Sequence, residues 1–411
     1  MTSSDNPSIA LSKFTALPVV VIVSLVVQAL ASMSAILPSA IAPELAAAHG
    51  VPGSLIGIQV SCIYIGAMST SLIGGTLVRR FGALRCFQLA LLLSAIGGAM
   101  SAIPLLLVVG VGAFIVGLGY GLTNPPSSHM LMKVTTPKNR NLVFSIKQTG
   151  VPLGGVVAGL LGPWVALQFG WQIALISGAL VSLALMVAIS VFRRHWDADR
   201  DASATLLSNP LKDAGVFWKY KGLRWISLSA FTFSAMQVSL TTFTVTMLVS
   251  DLSFSLIEAG AVLAVMQAAG ITGRVLWGWV ADRSRSPSGV LAAITLITII
   301  GALVLVLIDS NTPVLLVYLL LAVLGITAIG WNGVHLAEIA RLAPSGLISG
   351  ATGASMVITY GGVMFGPATM AVMYGFAGSY TLTFALFSVI PLAGLFFVFQ
   401  ARKFSNAEGG G

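Results

Sequence analysis

Apolar residues run almost unbroken for about 20 positions at a time along this chain, and polar residues fall in short clusters between the runs. A helix needs about 20 apolar residues to cross the hydrocarbon core of a bilayer, whereas a membrane strand shows about ten in alternation. These runs do not alternate. They predict twelve spanning helices, near residues 17–47, 54–78, 84–104, 106–132, 142–168, 171–193, 223–250, 255–281, 288–308, 312–337, 348–375 and 380–401. One long polar connection, RRHWDADRDASATLLSNPLKDAGVFWKYKGLR (193–224), separates two sets of six. The expected organisation is a tail at 1–16, a six-helix half at 17–193, a central loop at 194–222, a second half at 223–401 and a tail at 402–411. The first 16 residues are polar and the next apolar run is too long for a signal sequence, so no cleaved leader is expected.

Composition agrees with a membrane protein. Of the 411 residues 57% are hydrophobic and only 8% are charged, against about 25% charged in soluble domains. Forty-four glycines suit closely packed membrane helices. Cys62 and Cys86 fall in or beside apolar runs and read as reduced packing residues. The net charge of +9 would read as a nucleic-acid signal if the cations were clustered without order. They are ordered: with both termini cytoplasmic, 19 of the 21 Lys and Arg fall in cytoplasmic segments. The external loops carry Glu44, Asp251, Glu258 and Asp309 instead. This is the positive-inside pattern, and it accounts for the basic charge without nucleic acid.

The halves resemble each other. GLTNPPSSHMLMK (121–133) aligns with AIGWNGVHLAEIAR (328–341) at an offset of 208, pairing Asn124 with Asn332. GTLVRRFGALR (75–85) matches GWVADRSRS (278–286) at the equivalent loop. Repeated halves are a transporter signature. The loop pattern resembles that of the major facilitator superfamily, G-x-L-x-D-R-x-G-x-R, through Gly75, Leu77, Arg80, Gly82 and Arg85. The acidic position is Arg79 here, while the second copy keeps Gly278, Asp282 and Arg283. The resemblance implies that these loops latch the two halves, with Asp282 the stronger gating candidate. The stretch Gly150-Val-Pro152-Leu-Gly154-Gly155 resembles the fifth-span motif of the family's antiporters. The fold class implied is an all-α membrane protein with twelve transmembrane helices in two pseudo-symmetric six-helix halves, working as a monomer in a bacterial inner (plasma) membrane.

Two cations remain inside the apolar runs: Lys147 and Arg274. Lys147 lies about 10 Å deeper than Arg140, and Arg274 about 12 Å deeper than Asp282, at 1.5 Å per residue. Exposing either to lipid costs at least about 2.5–3.5 kcal/mol, so both are expected to face a cavity. The resemblance implies that the fifth and eighth spans line that cavity together. Two cations without acidic partners are best completed by an anion, the arginine fork and the lysine point charge suiting a carboxylate. This resembles monocarboxylate transporters and oxalate/formate exchangers, where an eighth-span arginine holds the carboxylate. The bland alternatives are a snorkelling Lys147 and an Arg274 that caps backbone carbonyls.

Further substrate contacts are expected from Gln28, Tyr64, Asn124, Gln148, Trp331, Asn332, His335 and Tyr360, with Gln59, Tyr120, Gln237 and Gln267 at similar depth. His129 and His335 are the candidate proton carriers. No intramembrane Asp or Glu of the kind that binds cationic drugs stands out, nor a nucleotide-binding loop, a metal cluster or a nucleophile–His–acid set. No cofactor is expected. The sequence therefore reads as a secondary transporter of a small organic anion, by exchange or proton symport. The alternative is a drug/proton antiporter for amphipathic compounds; a membrane enzyme or a sensor lacks the residues or the domain it needs.

Overall fold

The computed structural model describes residues 15–136, 139–203, 220–284, 286–343 and 348–408. Most of the expected central loop, the first 14 residues, the end of the C-terminal tail, Lys138 and Arg285 lie outside the described residues. Among the described residues, twelve helices are long and apolar enough to cross a bilayer. Spans 1 to 6 are Leu17–Ala40, Gly53–Phe81, Ala83–Ser101, Leu106–Val134, Leu142–Phe169 and Trp171–Trp196. Spans 7 to 12 are Lys221–Leu252, Leu256–Ser284, Pro287–Leu307, Val314–Leu342, Ala351–Ala377 and Tyr380–Phe404.

Several predicted elements are divided. The run at 17–47 is not one helix: it stops at Ala40, turns at Ile41 (φ −121°, ψ 21°) and restarts as the short helix Ala42–His49. Pro43 sits in the first turn of that helix, where its missing N–H breaks no bond. Gly50, at φ 62°, ends it in the left-handed conformation.

Spans 4 and 10 are each interrupted at equivalent places. Span 4 is helical over Leu106–Gly121 and restarts as Asn124–Val134, with prolines in the first turn. Span 10 is helical over Val314–Leu324, widens into a π turn at Gly325–Ile329 and restarts as Asn332–Leu342. The two lower segments are 11 residues each and begin on the paired asparagines. The internal repeat is thus structural.

Within the halves, span 1 packs on 5, span 2 on 4, span 7 on 11 and 12, and span 8 on 10. Between the halves the seam is made by spans 5 and 8 and by spans 2 and 11. Small residues let it close. A Cβ on Gly159 would stand 2.6 Å from the Gly260 carbonyl, and one on Gly260 would stand 2.3 Å from that of Gly159. Gly57 abuts Pro367 and Phe243, and Gly53 abuts Thr246. Ser61 Oγ donates to the Met364 carbonyl at 2.7 Å. These contacts seal the end of the bundle remote from the chain termini. At the other end, the hydrogen bonds from Leu84 N to Asp197 and from Arg341 to Glu338 each stay within one half.

Candidate functional site

The break in span 4 presents Asn124, and span 1 presents Gln28 beside it. Lys147, 2% exposed, donates from Nζ to Gln28 Oε1 at 2.7 Å and to Asn124 Oδ1 at 2.5 Å. Thr123 Oγ1 donates to the same Gln28 oxygen at 3.0 Å. Lys147 does not snorkel: a buried ammonium is held by two neutral amide oxygens, and the ion pairs found among the described residues lie elsewhere.

Across the seam Arg274 donates from Nη1 to the Gln148 carbonyl at 2.8 Å and from Nε to the Ile329 carbonyl at 3.3 Å. The π turn of span 10 is what offers that second carbonyl. Its Ile326 carbonyl likewise accepts Trp277 Nε1 at 2.9 Å. Gly273 permits this approach, since a Cβ there would lie 2.1 Å from the Ile326 oxygen. Arg274 does cap carbonyls, but a guanidinium has five N–H donors and these bonds use two. Arg274 is bound to the carbonyl of the residue next to Lys147, so the two cations are neighbours across the seam.

An aromatic wall adjoins them. Tyr64 and Tyr120 meet edge to face at 5.9 Å, and Tyr360 of span 11 packs on the same cluster. The Tyr360 hydroxyl lies 3.1 Å from Ser71 Oγ, with Asn124 beside it. Two amide atoms here, Gln28 Nε2 and Gln148 Oε1, are buried without a hydrogen-bond partner. An unmet buried polar atom costs about 1–3 kcal/mol, so the first-half side of the seam holds unused hydrogen-bonding capacity.

A pseudo-symmetric pair of hydrogen bonds frames the site. Thr123 to Gln28 in the first half matches Trp331 Nε1 to Gln237 Oε1, 2.8 Å, in the second. Asn332 donates to the same Gln237 oxygen at 3.3 Å. The cations break the symmetry. The positions 208 and 209 residues after Lys147 are Ser355 and Met356, and those 209 and 208 before Arg274 are Ile65 and Gly66.

Of the residues expected from sequence, the structure brings together Lys147, Gln28, Asn124, Gln148 and Tyr64 of the first half, with Arg274 and Tyr360 across the seam. It places Trp331, 2% exposed, and His335, 1% exposed, in the packing of spans 7 and 10. His335 Nε2 there meets the Ile226 carbonyl at 3.1 Å, and Trp331 packs on Phe233. Glu338 is fully buried near the end of span 10, paired to Arg341 at 2.7 Å. Among the described residues no group of metal-ligating side chains occurs.

The gating residues divide. In span 5, Gly150 and Gly154 face span 1 of their own half, while Gly155 and Gly159 face span 8. Pro152 is buried. Gly75 and Gly278 have open space where a Cβ would be. Asp282 and Arg283 are exposed, and Arg80 lies against the Phe81 ring. Gly82, at φ 98°, turns directly against Asp197, which accepts the Leu84 N–H at 2.7 Å. An acid from the end of span 6 therefore occupies the loop whose own acidic position is Arg79. Burial raises the Asp197 pKa, opposed by the Leu84 and Arg85 N–H groups and by the Arg85 and Arg193 charges. Sequence reading missed Asp197; the three acids of WDADRD were its only signal. Asp199 follows, bonded by Lys133 at 2.5 Å and His129 at 2.8 Å. Burial would push its carboxyl up, but these two bonds outweigh it and hold it below the usual range.

A family model, the Major Facilitator Superfamily, matches residues 24–367. The chain belongs to the major facilitator superfamily. It is a multi-pass membrane protein of a transporter superfamily, as the loop pattern and repeated halves led us to expect. An uncharacterized MFS-type transporter of Mycobacterium tuberculosis is 25% identical over 73% of this chain and 66% of its own length. Multidrug resistance protein MdtH of Salmonella typhimurium is 30% identical over 31% of this chain and 32% of its own. The chain thus matches less than two thirds of each of these relatives. Among solved superfamily folds, a bacterial homolog of the human lysosomal transporter Spinster, inward-facing and unoccupied, superposes with TM-score 0.74 at 16% identity over 96% of each chain. A peptide transporter, POT, in complex with sulfate gives 0.72 at 15% identity over 94% of this chain and 95% of its own.

Proposed function

We propose that this transporter carries a small organic anion, a carboxylate, across a bacterial inner membrane by alternating access, with both termini cytoplasmic. The observation that carries the reading is Lys147: a buried ammonium whose hydrogen-bond partners are neutral amides, beside the residue whose carbonyl holds a second cation across the seam. A carboxylate bridging Lys147 and the free donors of Arg274 relieves their repulsion. Gln28 Nε2 is a further donor for it, and the tyrosine wall suits an apolar body. The seal at the terminus-remote end then corresponds to an inward-facing state. Binding that draws Arg274 toward the substrate loosens its hold on the Gln148 carbonyl, which couples occupancy to movement of the halves. The buried Glu338 is neutralised by its own arginine, which favours exchange, or symport on the substrate, over a carboxylate proton carrier.

The test is thermal stabilisation of the purified protein by mono-, di- and aromatic carboxylates, beside cations and neutral drugs. A carboxylate that raises the melting temperature of the parent but not of Lys147→Ala or Arg274→Ala supports the reading. Stabilisation by cationic or neutral drugs alone, unchanged in both variants, supports the second reading, a drug antiporter. That reading draws on the MdtH relative and on the glycine-rich stretch of span 5.

A further inference from the structure

A cavity lies away from the cation pair, at the end of the bundle remote from the termini. It has a volume of about 200 Å³ and sits between the short helix Ala42–His49 and the beginnings of spans 2 and 4. Its walls are mostly apolar, and its mouth residues Ile58 and Leu106 are 51% and 50% exposed. Apolar exposure on a membrane helix faces lipid, so the cavity opens sideways. Two polar atoms interrupt the apolar lining. His49 Nε2 and Gln59 Nε2 are both buried, and neither has a hydrogen-bond partner among the described residues. They come from different elements and line one cavity.

Their chemistry is complementary. His49 Nδ1 stands 2.8 Å from the Leu45 carbonyl oxygen, which only accepts, so Nδ1 carries the hydrogen. In the neutral ring Nε2 is then an acceptor. Gln59 Nε2 is a donor. One hydroxyl group satisfies both, donating to His49 and accepting from Gln59. A cavity of ~150 Å³ holds benzene, so this one takes a ring with a substituent or two, or an alkyl chain of similar bulk.

We propose that this cavity is a binding site for a small amphiphile with a single hydroxyl on an apolar body, taken up from the bilayer side. The same segment supplies Gly53, which abuts Thr246 of the other half, so an occupant touches the part of span 2 that seals the seam.

The test is photolabelling of the full chain reconstituted in lipid vesicles, with adducts mapped by mass spectrometry. The probes are a diazirine-bearing hexanol and the matched diazirine-bearing hexane; 4-methylphenol is the competitor. The hexanol probe is expected to label the cavity, to be displaced by 4-methylphenol, and to label at least about tenfold more than the hexane probe, since its hydroxyl satisfies both buried polar atoms. His49→Leu and Gln59→Leu are each expected to remove that preference. Gly110 lines the cavity with nothing within 4 Å of a Cβ, so Gly110→Leu fills the space and should abolish labelling while the protein stays folded. Equal labelling by both probes, or a hexanol preference that survives His49→Leu and Gln59→Leu, overturns the proposal and leaves an apolar crevice filled by lipid. Absence of cavity adducts from either probe also overturns it.

Discussion

Arg274 of span 8 donates to the backbone carbonyl of Gln148 in span 5, so a charged side chain of one half is fastened to the main chain of the other. The same guanidinium holds the Ile329 carbonyl in the π turn of span 10. Lysine has no planar fork with which to hold both. Arg274→Lys is therefore expected to keep the charge yet lower transport in proteoliposomes by at least about tenfold, the worth of about 1.4 kcal/mol. Transport near the parent rate would show that charge alone suffices there.

Gln28 and Lys147 make an asymmetric pair. Removing the amide leaves a buried ammonium with one partner fewer, which costs about 1.5–3 kcal/mol. Removing the ammonium with Lys147→Met leaves only neutral groups and relieves repulsion from Arg274. Gln28→Leu should lower the melting temperature of the empty protein, while Lys147→Met leaves it unchanged or raises it. The opposite order in a thermal scan would mean that Lys147 is a structural strut.

Gly82 combines a backbone that side chains rarely adopt with direct contact to Asp197. A Cβ there would lie 2.3 Å from Asp197 Oδ1. Gly82→Ala should cost at least about 1–3 kcal/mol from the backbone alone. Asp197→Ala removes a cap from the span 3 helix and should cost about 1 kcal/mol. The double variant should be less destabilised than the sum of the two, because the clash disappears with the carboxylate. Strict additivity in melting temperature would argue that the contact is not tight.

The Asp199 strap has a definite pH dependence. Its carboxyl pKa is held in the folded chain below the ordinary aspartate value of 3.8. Its contribution is thus present above that value and disappears as pH falls through the lower, folded one. Proteolytic protection of residues 197–203 should hold from neutral pH down to about pH 4 and fail below it. Asp199→Asn should be cleaved faster at neutral pH, at the rate the parent reaches only in acid, with the low-pH step gone.

The legible part of this protein was what periodicity and charge placement carry. Twelve spans, the paired Asn124 and Asn332, and the two membrane cations all follow from runs, repeats and the cost of burying charge. Individual facing directions did not follow. Trp331 and His335 lie just past a π turn, and a straight helical wheel drawn through Gly325–Ile329 misplaces what comes after it. The division at Ile41 was obscured because proline and alanine continue an apolar run whether or not the helix does. Asp197 was hidden because its partner Gly82 is distant in sequence and contact between them depends on the end of span 6.

Gly159 and Gly260 press backbone on backbone at the sealed end. A larger side chain there cannot be accommodated without parting spans 5 and 8. Gly159→Leu should therefore disfavour this closed arrangement. A cysteine placed at Thr246 should react faster with a membrane-impermeant thiol reagent in that variant. An unchanged rate would mean the seam yields elsewhere.

The π turn of span 10 gives that helix one residue more than its length requires. A deletion inside most membrane helices swings every later side chain by about 100° and shortens the crossing by 1.5 Å. A deletion at Thr327 has somewhere to be absorbed: the wide turn tightens to an ordinary one, and the segment from Asn332 onward keeps its orientation. Span 10 is in this sense a helix with slack, and that slack lies where the carbonyls meet Arg274 and Trp277.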